Sequence, residues 1–575
     1  MYKKIIIAAI FIFIGAKVIA QSNMNLKYSL LADCDSLQKY LKTHPDVNWL
    51  RPGTDNAIAT GLTQLRKKIA AQQSINSLNI DFLRVDLMKI IALLGDGHSR
   101  LYEMDDAFGT LPIKFGYFDE GYFVVEASSE NVALLGSQLV GIGKFGLKEC
   151  LDKIKAVSFG ANSQGMKTQS IDLLSRPGLL YGLGITKKMS EISFHFKMPD
   201  GQQKTVLINR ISKRPETLNY LGYKKIALPL YLQNRDKYYW YTMLEDRKTV
   251  YMGFNIIANM QEKSFSVFTK ELDSFIRANN IQRLIVDARF NGGGDNFLNA
   301  RLIKIIRNNP ALNRKGNLFF ITGYTTFSAA IDLYGDIENS TQATVVGEPV
   351  GNVLTSPGDA KMYKLKGFGL TVFISQLMWQ TSFDWDKRKE SRVDIPITMK
   401  FSNYKSGKDE IVEKILSIPA GTETPVPSLS FLKEGRYNSD GECVELKKTK
   451  EGRFEIVFPG KMYLTITGKK GNEIITSNPY VRLTDDKIPE IKYLYNKNPV
   501  IKPLLTTSDT ARLFFKEKNQ LTNIPVSLHG NNLAERAYKI SIWEPEDEVT
   551  PKAMLKYAIR IGVNSAMASN FLKYY

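Results

Sequence analysis

Ser328 and His98 are the residues whose types and settings could do chemistry. Ser328 follows an apolar run, Leu318 to Ile321, and a turn at Gly323, and it stands where a helical stretch should begin. A serine there can act as a cap, its hydroxyl satisfying an orphan N–H of the helix. The same position suits a nucleophile, because the N–H groups around it can hold an oxyanion. Local pattern leaves both readings open. His98 lies in Gly95-Asp96-Gly97-His98-Ser99, a turn that ends an apolar helical stretch and leaves the imidazole exposed. The chain has three other histidines: His44 precedes a proline in a polar segment, His195 alternates within a strand-like run, and His529 sits in a loop-like Ser-Leu-His-Gly-Asn-Asn. The three cysteines, Cys34, Cys150 and Cys443, are far apart, so there is no disulfide framework. No cysteine or histidine cluster has metal-ligand spacing, and no metal or organic cofactor is expected.

The elements that must position these residues repeat one plan. Leu284, Ile285 and Val286 read as a buried strand of a parallel sheet. Asn291 to Gly294 then permit a tight turn with positive φ and exposed N–H groups. Leu298, Leu302, Ile305 and Ile306 follow at helical spacing, and Pro310 stops the helix. Leu318 to Ile321, Gly323 and the stretch after Ser328 make the second strand, turn and helix. An amphipathic helix through Phe265, Phe268, Leu272, Phe275 and Ile276 precedes the first unit, and alternating strands and helices argue for an α/β layer.

Taken together, these segments resemble the superfamily of tail-specific, C-terminal-processing serine peptidases and tricorn-type proteases. The matching residues are Asp287, Arg289, Asn291, Gly293 and Gly294, then Thr326, Ser328 and Ala329, then Gly347, Glu348 and Gly351. Three separated segments match in order, and the likeness spans about Asp86 to Ser417. It implies an α/β core of the crotonase/ClpP-like type and a serine endopeptidase acting on peptides or proteins. It makes Ser328 the nucleophile, with backbone N–H groups of Gly293 and Ala329 binding the oxyanion. One branch of the superfamily uses a lysine shortly after the Gly-Glu pair as base. Gly351-Asn352-Val353-Leu354 offers none, and the next lysines are Lys361 and Lys364. The resemblance is therefore nearer the histidine branch, which makes His98 the general base. The third, acidic member is expected just before Val393-Asp394-Ile395, where Asp384, Asp386 and Glu390 are candidates and Asp386 is preferred.

The remaining segments frame this core. Residues 1–20 combine Lys3 and Lys4, an apolar run from Ile5 to Ile14 and Val18-Ile19-Ala20, the pattern of a secretory signal peptide. The protein is thus expected to be exported (periplasmic, cell-surface or extracellular), without stable membrane insertion after signal removal. Residues 21–105 read as a helical segment ending in the histidine turn. Residues 106–212 turn to short strands and resemble the PDZ-like module that related proteases insert at this point. The peptidase core is expected over 213–417, a proline-rich linker over 418–428, and a mainly-β region of unassigned role over 429–575, with Phe454–Phe458 and Met462–Ile466 as a hairpin. The formal net charge is +19, yet the basic residues are spread out and no nucleic-acid motif occurs, so no nucleic-acid partner is expected. Two other readings stay open. One is an inactive relative that binds peptides through the PDZ-like module, and the other is a surface-binding protein acting through its C-terminal region.

Overall fold

The computed structural model describes residues 24–506 and 526–560, except 73–76, 103, 213–217, 221–227, 384–385, 422–427, 430, 440–441, 450–451 and 546–548, together with 569 and 572. The expected signal peptide, Asp384 and most of the expected linker lie outside the described residues. The chain divides into two compact units: Met1–Ile226 with Pro357–Gln376 and Lys400–Lys405, and Ala227–Ser356 with Leu377–Met399 and Ser406–Tyr575. Three stretches of the segment expected as continuous core, 213–417, thus group with the N-terminal unit: 213–226, 357–376 and 400–405.

In the first unit, the helix Thr54–Ala71 buries Ile58, Leu62, Leu65 and Ile69, a stripe at three- and four-residue spacing. It packs with the helix Ser77–Ala92, whose end leads into the histidine turn. Five antiparallel neighbours follow in the order Ile113–Phe118, Gly121–Ala127, Gln138–Ile142, Glu191–Lys197 and Gln203–Asn209. The helices Leu147–Lys155 and Ser163–Leu173 interrupt them in sequence. The returning chain adds Lys361–Leu365 and Leu370–Ile374 to Arg100–Tyr102, so the strand just after His98 is held by residues about 270 positions later. One apolar cluster joins the helices, the antiparallel sheet and the returning strands, including Leu62, Leu87, Phe194 and Val372.

The second unit is built on a six-stranded sheet in the order Ile395–Pro396, Thr344–Gly347, Leu318–Thr322, Arg283–Asp287, Thr249–Phe254 and Tyr239–Met243. Every pairing is parallel except the last. Strand side chains alternate between faces. Leu284 and Val286 therefore pack with Leu318, Phe320 and Tyr334, while Ile285 packs with Phe319, Ile321, Ile411 and Ile415. Both faces are covered, which is why Leu284–Val286 is apolar without interruption.

Beyond residue 430 an antiparallel meander runs from Gly435–Ser439 to Val500–Pro503, with Leu505–Thr506 returning beside the first strand. Phe454–Phe458 pairs with Met462–Lys470 across the turn at Pro459–Lys461. The C-terminal segment then forms the helices Val526–Trp543 and Val549–Arg560. The first of these docks on the parallel-sheet layer, where Trp543 Nε1 donates to the Ala300 carbonyl at 2.8 Å. His529 therefore lies within a helix rather than a loop.

Candidate active site

Ser328 is the residue before the helix Ala329–Ser340, and its backbone has φ 57° and ψ −131°. This is a positive-φ conformation that a non-glycine residue holds only when its surroundings impose it, at a cost of about 1–3 kcal/mol. The serine hydroxyl makes no capping bond to its helix. The cap reading of the sequence thus does not hold, and the geometry is that of a strand–turn–helix elbow that presents a serine.

The imposing contacts come from the neighbouring turn. Thr326 Oγ1 donates to the Ala288 carbonyl at 2.8 Å, Phe327 N to the Asn291 carbonyl at 3.0 Å, and Thr325 Oγ1 to the Arg289 carbonyl at 2.6 Å. Gly351 N donates to the Thr326 carbonyl at 2.8 Å. Asn299, fully buried, donates to the Ala329 carbonyl at 2.9 Å and holds the first turn of the helix. The three segments that matched in the sequence are therefore stitched together around the serine.

Gly293 has φ 107°, and a Cβ placed there would stand 2.6 Å from Ser328 Cβ and 2.9 Å from Ala329 N. Only glycine permits this approach. Its N–H, the expected oxyanion donor, donates to Asn291 Oδ1 at 2.9 Å within its own turn. The adjacent bridge to Ile257 uses the Gly293 carbonyl and the Asp295 N–H, which directs the Gly294 N–H away from Ile257. At the helix start, Ala330 N and Ile331 N donate to Phe327 and Ser328 carbonyls, whereas Ala329 N is the first amide of the helix and has no intrahelical acceptor.

Behind this turn lies an ion network. Arg289, 3 % exposed, donates from Nε to Asp287 Oδ1 at 3.0 Å and bidentately to Asp409 at 3.1 and 2.9 Å. Tyr251 donates to Asp287 at 2.7 Å, and Asp409 also accepts the Ile411 and Val412 amides at the start of the helix Glu410–Leu416. Burial works against the Arg289 charge, but Asp287 and Asp409 outweigh it and hold the guanidinium well above its usual range. Asp287 and Arg289 belong to the resemblance; Asp409 was missed, although an aspartate preceding an apolar helical pattern is an N-cap signal.

His98 lies in the first unit. Gly95 and Gly97 have φ 60° and 77°, and the turn closes on Asp96. This buried carboxylate accepts the His98 amide at 2.8 Å, the Ser99 amide, Ser99 Oγ at 2.7 Å and His44 Nε2 at 2.9 Å. Burial pushes the Asp96 carboxyl up, but the bonds from His44 and Ser99 prevail and hold it below its ordinary value. His44, read from sequence as an ordinary polar residue, is therefore part of the histidine turn's support. The His98 ring is held below the usual histidine range, chiefly by loss of water, against the pull of Asp96 and Asp359. At neutral pH it is an uncharged imidazole able to accept a proton.

The preferred acid, Asp386, is found in a buried ion pair within the second unit. Ser382 Oγ donates to it at 2.6 Å, and Arg388 donates from Nε at 2.9 Å and Nη2 at 2.7 Å while also gripping Glu338. With both oxygens engaged by Arg388, Asp386 reads as an ion-pair partner. Among the described residues, no group of three or more histidines, cysteines, aspartates or glutamates could hold a metal ion, and no helix is long and apolar enough to cross a membrane.

No family model and no curated protein matches this sequence. Among solved structures the chain is similar to proteases. A CPAF mutant is matched at 12 % identity over 69 % of this chain and 99 % of that one, with a TM-score of 0.48. The photosystem II D1 C-terminal processing protease is matched at 12 % identity, 65 % and 93 % coverage and a TM-score of 0.32. The tricorn protease is matched at 15 % identity, 68 % and 36 % coverage and a TM-score of 0.29. At such TM-scores the functional reading rests on the geometry of the site itself.

Proposed function

We propose that this protein is a serine endopeptidase in which Ser328 is the nucleophile and His98 its general base. The observation that carries the proposal is the strained backbone of Ser328, held against Gly293 with its hydroxyl making no capping bond to the helix. In this reading Ser328 Oγ attacks a peptide carbonyl and passes its proton to the neutral His98 ring. The oxyanion accepts from the Ala329 N–H and from the Gly294 N–H of the facing turn. Collapse of the tetrahedral intermediate breaks the C–N bond, and the imidazolium gives its proton to the leaving amine. Water, deprotonated by His98, then releases the acyl group from Ser328. Because Asp386 is committed to Arg388, Glu390 becomes the described candidate for the third position. The signal-peptide pattern supports export, and the substrate is a peptide or protein.

Labelling with a fluorophosphonate, run beside digestion of casein, tests this. Wild type should label and cleave, Ser328→Ala should do neither, and His98→Ala should lose both by several orders of magnitude. A wild type that neither labels nor cleaves would sink the proposal. It would favour an inactive peptide-binding relative, for which there is one specific observation. The antiparallel sheet of the first unit ends in Gln203–Asn209, a largely exposed strand with no outer partner strand among the described residues, and such an edge can take a peptide as an added strand.

A further inference from the structure

Away from Ser328, the second unit contains a cavity of about 260 Å³ where the parallel-sheet layer meets the C-terminal meander. Arg314 and Lys315, just before the strand Leu318–Thr322, and Arg392, just before Ile395–Pro396, line it from one side. Ser477 and Arg482, from the turn and strand after Glu473–Thr476, line it from the other. Four cations thus face one cavity, and among the described residues that line it Asp394 is the only carboxylate.

That carboxylate does not balance them. Asp394 Oδ2 accepts from Lys315 Nζ at 3.0 Å and from the Val345 amide at 2.9 Å. The Arg392 side chain is 10 % exposed, and its Nε stands 3.6 Å from Asp394 and 3.7 Å from Glu338. Both are beyond hydrogen-bond reach, and this buried Nε has no hydrogen-bond partner among the described residues. Glu338 is already held bidentately by Arg388 at 3.0 and 2.8 Å. Partial loss of water holds the Lys315 ammonium and the Arg482 guanidinium below their usual ranges, and Arg392 adds to the effect on Lys315. A buried guanidinium with an unmet donor is costly unless a hydrogen-bond acceptor arrives. Ser477 Oγ accepts the Thr465 amide at 3.2 Å, so its own hydroxyl hydrogen remains to donate.

We propose that this cavity is a binding site for a tetrahedral oxyanion, phosphate or sulfate, either free or as the ester group of a small molecule. Guanidinium groups suit such anions because their planar N–H pairs match two oxygens at once. The volume lies below the roughly 300–1,000 Å³ of drug-sized sites, which favours one small anionic group over an extended ligand. Bound there, the anion joins Arg314 and Arg392 of the core to Arg482 and Ser477 of the meander. Binding should therefore stabilise the fold as well as fill the site. The proposal does not depend on the peptidase reading.

The test uses the full chain. Isothermal titration with inorganic phosphate, inorganic sulfate and glucose 6-phosphate, at constant ionic strength in chloride, reads the affinity directly. Saturable 1:1 binding is expected, weakened about ten- to hundredfold by Arg392→Gln and by Arg482→Gln, each checked for folding by circular dichroism. Tighter binding of glucose 6-phosphate than of the inorganic ions would assign the site to an ester, and the reverse order to the free anion. Arg482 lies on a meander strand, so Ser477→Ala, which removes only a hydroxyl, serves if Arg482→Gln misfolds; it should weaken binding severalfold. No saturable binding of any of the three anions, or equal affinity in the wild type and the folded variants, would overturn the proposal.

Discussion

At the scale of the residue, the position of Ser328 makes a prediction that separates strain from chemistry. Its φ of 57° favours glycine, so Ser328→Gly removes a cost of about 1–3 kcal/mol while adding about 0.5–1 kcal/mol of backbone entropy to the unfolded chain. Relief of strain outweighs that entropy. Ser328→Gly should therefore be more stable than Ser328→Ala by about 1 kcal/mol in urea denaturation, with both inactive. Equal stability would mean that the backbone is not strained at this position. The serine and its glycine turn were legible because their types and order carry the constraint. The support of His98 was not: His44 and Asp96 meet across 52 positions, and nothing in the polar segment around His44 marks it as buried. The ion network of Asp386 was not legible either, since its partner Arg388 lies beside it but Glu338, which completes the network, is 50 positions from Arg388.

At the scale of the element, Asp409 ties the turn after the strand Arg283–Asp287 to the helix Glu410–Leu416. It grips Arg289 bidentately and caps the helix with two amide bonds of 3.2 Å. Removing it leaves a buried guanidinium half-compensated, a loss of about 3–5 kcal/mol where such pairs are broken. Asp409→Ala should fall in that range by denaturant unfolding. Asp409→Asn keeps the cap and one hydrogen bond to Arg289, and should cost less. A loss below about 1 kcal/mol for Asp409→Ala would show that Asp287 alone satisfies Arg289. Elements whose burial shows in their own sequence, such as the uninterrupted apolar strand at Leu284, were readable. The helix Val526–Trp543 was not, because Gly530, Asn531 and Asn532 lower its local propensity. Tertiary packing of Leu533, Ala534, Ala537 and Ile540, at helical spacing, overrides that weakness.

At the scale of the whole molecule, the helix Val526–Trp543 couples stability to pH through the helix that Ser328 begins. Lys539 donates to Asp336 at 2.6 Å and to Glu535 at 2.9 Å, and Thr381 Oγ1 donates to Asp332 at 2.7 Å. One ammonium thus faces three carboxyl groups. Burial, and then the neighbouring Glu535, push Asp332 up to about 7, while burial, against the opposing pull of Lys539, leaves Asp336 at about 6. Both groups bind protons more tightly folded than unfolded, where an aspartate titrates near 3.9. Between pH 4 and 7 the folded chain therefore carries the extra protons, and stability falls as pH rises through that window. Depressed carboxylates such as Asp96 and the repulsion of a chain of net charge +19 work in the opposite direction at low pH, so the total profile does not isolate this contribution. The difference between wild type and Asp332→Asn does. The variant keeps a neutral group at all pH values, so its stability relative to wild type should increase steadily from pH 4 to 7 and level off above. Urea denaturation at intervals across pH 4–8 reads this difference, and a flat line would show that Asp332 is ionised in the fold throughout that range. A rising difference would place a proton-dependent joint between the C-terminal helix and the helix that Ser328 begins. The helix Val526–Trp543 would then act on the helix Ala329–Ser340 through stability.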